Sequence, residues 1–159
     1  ELVRALLSVC RDCVLDEAVH AKEHSIEVQV PFVQRLIPRA KILPIVVGSE
    51  DLTVCRRFGG ALAKVLTGRK AVIVASSDLS HYYDYETARR LDAATTRAIE
   101  ALDPSGLDSE SACGRVPVRG FLDCARRHGL RARTLDLRNS GDTAGSREQV
   151  VGYGAYAFA

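Results

Sequence analysis

Three short segments hold the residues whose types and spacing suit chemistry. In the first, VIVASSDLSH (72–81), an apolar run breaks off into Ser76, Ser77 and Asp78 and reaches His81, with Tyr82, Tyr83 and Tyr85 behind it. An imidazole so placed serves as general acid/base or metal ligand, because its charge changes near neutral pH. The second is Glu23-His24-Ser25-Ile26-Glu27, where two acids flank one histidine and favour its protonated form. The third is Ser111-Ala112-Cys113-Gly114-Arg115. A cysteine beside glycine and arginine can be held partly as thiolate, the form that binds metals and attacks electrophiles. Each segment also has a plainer reading. Ser76, Ser77 and Asp78 would cap the next helix, Ser25 and Glu27 would start another, and Cys113 would be a small hydrophobe.

Other motifs point less clearly to chemistry. Cys10-Arg11-Asp12-Cys13 has thioredoxin-like spacing, but it falls in a predicted helix with no strand before it. It is read as Cys10 packing inward with Cys13 incidental. The stretch 141–146 (GDTAGS) is glycine-rich but lacks the lysine of a P-loop and lies between predicted strands. His20 and His128 read as surface histidines.

The elements that must position these residues follow from hydrophobic periodicity. Leu2, Ala5, Leu6 and Val9 mark a helix already under way at the first residue. Ile26, Val30, Val33 and Ile37 form a helical stripe with Ser25 as N-cap, although Pro31 demands a first-turn position or a kink. Residues 41–48 (KILPIVVG) and 71–75 (AVIVA) read as strands buried on both faces. Helices are predicted over 51–66, 84–102 and 118–128, the second with Ala88, Leu91, Ala94, Ala98 and Leu102 on one side and the third closed by Gly129. Strands over 132–137 and 150–158 close the chain, joined by a polar loop at 139–147 and suited to antiparallel pairing. Strands alternating with helices predict one α/β domain, a mixed β-sheet flanked by helices, and in such sheets ligands bind at the carboxyl ends of strands.

The 159 residues have the length of one domain, and their formal charge of +2 is too small to imply nucleic acid or an anionic membrane as partner. Arginines dominate the basic residues but lie scattered in pairs, such as Arg126-Arg127, that read as solvated helix faces. No apolar run approaches the roughly 20 residues of a membrane span, and no signal peptide is visible. Five cysteines without a paired framework suit a reducing, cytoplasmic compartment. The chain has no methionine, so Glu1 is expected not to be the biological start.

Five segments in order, EHSIEVQVPF (23–32), LPIVVG (43–48), SSDLSHYYDY (76–85), CGRVPV (113–118) and VGYGAYAF (151–158), resemble the Memo family, labelled in bacteria and archaea AmmeMemoRadiSam system protein B. The resemblance implies the fold of class III extradiol dioxygenases, incomplete here at the N-terminus, with residues 1–159 forming the C-terminal part of a single domain. It also implies a non-haem metal, iron(II) or copper, held by two histidines in Pro-His-Ala-Gly and Ser-His-His segments and by the cysteine of Cys-Gly-Arg. That cysteine falls on Cys113. Neither histidine segment occurs in this sequence. His81, after Ser-Asp, matches a further active-site histidine, with Asp78 beside it, and His24 matches a second acid/base or substrate-orienting histidine. Cys113 with His81 and His24 would still suit a soft or borderline metal such as Cu(I) or Zn.

The function implied is metal-dependent redox or dioxygenase-like chemistry on a small substrate, with this chain inactive alone and less stable than a whole domain. The rival is a non-catalytic binding or adaptor protein that takes a small-molecule or peptide ligand in a dioxygenase-like pocket. A cysteine where extradiol enzymes use a carboxylate favours that rival. A metal-dependent hydrolase lacks the clustered carboxylates needed to bridge two metals. The family label further implies functional association with Amme-domain and radical SAM proteins.

Overall fold

The computed structural model describes residues 1–143 and 145–159; Ala144, within the predicted 139–147 loop, lies outside the described residues. The chain divides into two compact units, Glu1–Ser76 and Ser77–Ala159. Together they give a mixed α/β chain with five α-helices and one small antiparallel sheet among the described residues.

In the first unit, α1 (Leu2–Val9) packs against α3 (Leu52–Leu66), burying Leu6, Cys55 and Leu62. Asp51 caps α3 by accepting from the Thr53 N–H at 2.7 Å. The stripe begun at Ile26 is divided, with a 3₁₀ turn at Glu27–Gln29 leading into α2 (Val30–Leu36). Pro31 sets that boundary, since a residue without an N–H fits the first helical turn and breaks a later one. Ser25 is not the cap; its N–H donates instead to Glu23 Oε1 at 2.7 Å.

Three expectations for this unit are corrected. Residues 41–48 and 71–75 are not strands, and Val72 and Val74 are 84% and 62% exposed where burial on both faces was predicted. An apolar run becomes a strand only where another segment satisfies its backbone, and no described segment forms a ladder with either run. Cys10-Arg11-Asp12-Cys13 does not lie in a helix. Helix α1 ends at Val9, Cys10 turns to extended backbone, and a disulfide joins Cys10 to Cys13. Cys10 is buried as expected, but Cys13 is its covalent partner, which removes the cysteine argument for a reducing compartment.

The second unit is built on a sheet of order β1-β3-β2, from β1 (His81–Tyr83), β2 (Ala132–Asn139) and β3 (Val150–Phe158). Both pairings are antiparallel, so the expected parallel component is absent among the described residues. The C-terminal pair runs from Ala132 opposite Phe158 to Asn139 opposite Gly152, with a one-residue register shift between Thr134 and Asp136. Helix α4 (Tyr85–Glu100) lies against β2 and β3. Helix α5 (Arg115–Arg127) brings Leu122 and Ala125 into a core with Ile99, Leu102 and Leu107, flanked by Tyr156 and Phe158. Phe121 and Phe158 meet edge to face with centroids 4.7 Å apart. Helix α5 begins earlier than predicted, with Pro117 in its first turn, and Gly129 closes it at φ +68° as expected. Arg126 and Arg127 stay exposed, both paired with the buried Asp123 carboxylate. No described helix is long and apolar enough to cross a membrane.

The face α4 buries only partly matches the one its apolar residues predict: Ala88 and Leu102 are buried and Ala98 packs against the core. Ala88, Asp92, Thr95, Thr96 and Ile99 point inward, while Ala94 is exposed. The inward polar groups find partners there, Thr96 Oγ1 with the Tyr156 hydroxyl at 2.7 Å and Asp92 Oδ1 with the Ser80 N–H at 3.0 Å.

Candidate functional site

Two backbone segments interlock to make the site. Residues 77–81 lead into β1, and 113–114 lead into α5. The Cys113 N–H donates to the Asp78 carbonyl at 3.3 Å, and the Gly114 N–H donates to Ser77 Oγ at 2.9 Å. In return the Asp78 N–H points at Cys113 Sγ at 3.3 Å, with Ser77 Oγ 3.6 Å from the same sulfur. The thiol is thus held in place immediately before the N-terminus of α5.

His81 Nε2 lies 3.5 Å from Asp78 Oδ2, with both side chains half-buried. The ring is aimed by a bulge in β1, where His81 pairs with Val151, Tyr83 pairs with Val150, and Tyr82 between them takes φ +63°. His81 and Tyr83 therefore both face a cavity of about 220 Å³ that Glu110, Cys113 and Arg115 also line. A hydrogen bond to Glu110 holds the Tyr83 phenol above its usual range. The cavity thus joins a thiol, an imidazole, a phenol and a carboxylate.

Behind the site, Gly152 of β3 clamps the approach to His81 from both backbone sides. Its carbonyl accepts from the Leu79 N–H and its N–H donates to the Ser80 carbonyl, each at 2.9 Å. Asp92, 2% exposed, sits against Gly152 where any Cβ would go, and it anchors the Ser80 N–H. Burial raises the carboxyl pKa of Asp92, opposed by the Ser80 hydrogen bonds and the nearby His81.

The structure therefore brings Asp78, His81 and Cys113 together. His24 belongs to the other compact unit, where its Nδ1 pairs with Glu27 Oε2 at 3.1 Å with both side chains largely exposed. The Glu23 carboxylate accepts from the Ser25 N–H, which together with the nearby His24 holds its pKa below the ordinary value. Sequence reasoning missed Asp92, Gly152 and Glu110 as parts of the site. Asp92 had a detectable signal: it stands four residues from Ala88 and from Thr96 on one helical face, and an acid on an inward face needs a partner.

A profile of the Memo-like protein family matches residues 1–157. The chain belongs to the Memo family. A MEMO1 family protein from Methanosarcina mazei is 40% identical over 150 aligned residues, covering 88% of this Memo chain and 56% of the relative. One from Aquifex aeolicus is 42% identical over 146, covering 87% and 55%, and one from Pyrobaculum aerophilum is 36% identical over 167, covering 99% and 59%. The Memo chain thus spans somewhat more than half the length of these relatives.

Cys113 and His81 line one cavity, but among the described residues no three His, Cys, Asp or Glu side chains converge as a metal site requires. The described residues of this Memo chain do not by themselves complete a metal site.

Proposed function

We propose that this Memo protein takes part in dioxygenase-like redox chemistry on a small substrate, with the fold of the class III extradiol dioxygenases. The observation that carries the reading is that Cys113 and His81 line one cavity, with Asp78 in contact with both. The His81 imidazole exchanges a proton with substrate, and Asp78, facing its Nε2, orients the ring. Arg115 lines the same cavity, so an anionic or phenolic substrate oxygen would meet its guanidinium donors there. Cys113 would supply its sulfur as a ligand to iron(II) or copper, a metal that would bring the redox chemistry.

The test is metal retention. The chain is loaded anaerobically with Fe(II) or Cu(I), desalted, and assayed for bound metal beside Cys113→Ala, with circular dichroism to confirm that the variant folds. Retention should drop about tenfold or more in the variant, in line with a lost ligand. Equal retention in both proteins would sink the assignment of Cys113.

A second reading, a binding or adaptor protein without turnover, is favoured by the size of the cavity. Its volume of about 220 Å³ is below the ~300–1,000 Å³ of most small-molecule pockets. Oxygen uptake by iron-loaded protein with catechols separates the two, since the adaptor reading expects none.

A further inference from the structure

The Cys10–Cys13 disulfide belongs to the unit Glu1–Ser76, and the function proposed above does not use it. Its surroundings are specific. The intervening Asp12 is gripped by Arg57 of α3 through two hydrogen bonds, Nε to Oδ2 at 2.8 Å and Nη2 to Oδ1 at 2.9 Å. This fork ties the short loop to a helix, and the Cys13 N–H closes the turn on the Cys10 carbonyl at 3.2 Å. The two sulfurs differ in access, because Cys10 is 4% exposed and Cys13 is half-buried. Cys10 also borders a cavity of about 390 Å³ whose wall carries Arg11, Arg57 and Lys64 against the single acid Asp12.

We infer that Cys10–Cys13 is a reversible thiol–disulfide exchange site for a low-molecular-weight thiol bearing negative charge. The incoming thiolate attacks the more accessible Cys13 sulfur. A mixed disulfide forms there, and the Cys10 sulfur leaves as a thiolate beside the cationic wall, where positive charge stabilises a leaving thiolate. A second thiolate attacks the small-molecule sulfur of the mixed disulfide and releases Cys13. In sum, one protein disulfide and two thiols give one protein dithiol and one small-molecule disulfide. Two electrons pass to the protein, and the two thiol protons end on Cys10 and Cys13. The reverse sequence reoxidises the pair. The Arg57–Asp12 fork keeps the loop closed while the sulfurs are reduced, so the pair stays positioned to re-form.

The experiment uses the 159-residue chain with glutathione as the anionic thiol and cysteamine as a cationic one. Reduction is followed by acid quenching, alkylation and mass counting of thiols. Per thiolate, glutathione should reduce the pair about five- to tenfold faster at low salt, and added salt should erode that preference. With oxidised glutathione, Cys10→Ser should trap a mixed disulfide on Cys13, while Cys13→Ser should leave the buried Cys10 largely unmodified. Equal rates for the two thiols, or equal trapping on either single cysteine, would overturn the inference. A pair that oxidised glutathione cannot close after reduction would overturn it too. The rate comparison needs no variant, so misfolding of a serine mutant does not protect the proposal.

Discussion

Adding one methyl group at Gly152 would test how the site is held. An alanine Cβ would fall 2.6 Å from Asp92 Oδ1 and closer still to Oδ2. The strand cannot retreat without breaking the two 2.9 Å bonds that Gly152 makes with Leu79 and Ser80. The carboxylate cannot swing away without leaving the Ser80 N–H unpaired in a buried setting. Overpacking of this kind costs about 1–3 kcal/mol and an orphaned buried donor about 1–3 more, so we expect Gly152→Ala to lose about 3 kcal/mol. Urea unfolding followed by tyrosine fluorescence suits the measurement. The chain has five tyrosines and no tryptophan, and all five lie in the unit Ser77–Ala159. At a denaturant slope of about 2 kcal/mol/M the midpoint should fall by about 1.5 M. Asp92→Ala removes the obstacle, so in that background Gly152→Ala should cost about 1 kcal/mol, a coupling of about 2 kcal/mol. A Gly152→Ala midpoint within error of the parent, or the same cost in both backgrounds, would refute the clamp.

Asp92→Asn keeps an acceptor for the Ser80 N–H but cannot ionise. Burial raises the folded-state pKa of Asp92 above its ordinary 3.8, so the folded state binds the proton more tightly and stability falls as pH rises from 3.8 through the raised value. The variant should lack that downward slope in a pH series of urea midpoints, and an unchanged slope would count against the burial argument. A brief maleimide pulse on the native chain should label exposed Cys113 first. Cys55 should react only on unfolding, since it is buried and burial pushes its thiol up; peptide mapping showing equal rates would contradict this. Leu122→Ala, at a position with no exposed surface, should cost about 3 kcal/mol in the tyrosine assay, and a loss under about 1 kcal/mol would show that the core centres elsewhere.

Much of the site was legible because its chemistry is local. The Ser-Ser-Asp run leading to a histidine marked the site on its own, although the apolar run before it is not the strand that was predicted. The pairing of Asp78 with His81 needs only three residues of spacing. The place of Cys113 beside them came through the family resemblance, not from spacing, because 35 residues separate the sulfur from the Asp78 N–H that meets it. The helices over 52–66 and 85–100 and the closing strands were readable from period alone. The buried face of α4 was readable only in part, because an apolar count assigns Asp92 and Thr96 to solvent. Their burial is tolerable only because Ser80 and Tyr156 meet them from segments distant in the chain.

What the sequence by itself determined, then, is the family, the local elements with strong periodicity, and the residue types at the site. Hydrophobic period and short-range spacing are properties of neighbouring residues, and the chain carries them unaided. Strand identity, sulfur pairing and the clamp behind His81 were decided only by tertiary structure. A ladder needs a second segment, a disulfide needs two Cβ atoms brought to bonding distance, and Gly152 matters only because Asp92 occupies the space a side chain would fill. Each of these is a relation between places on the chain, and it exists only once folding has set the distance between them.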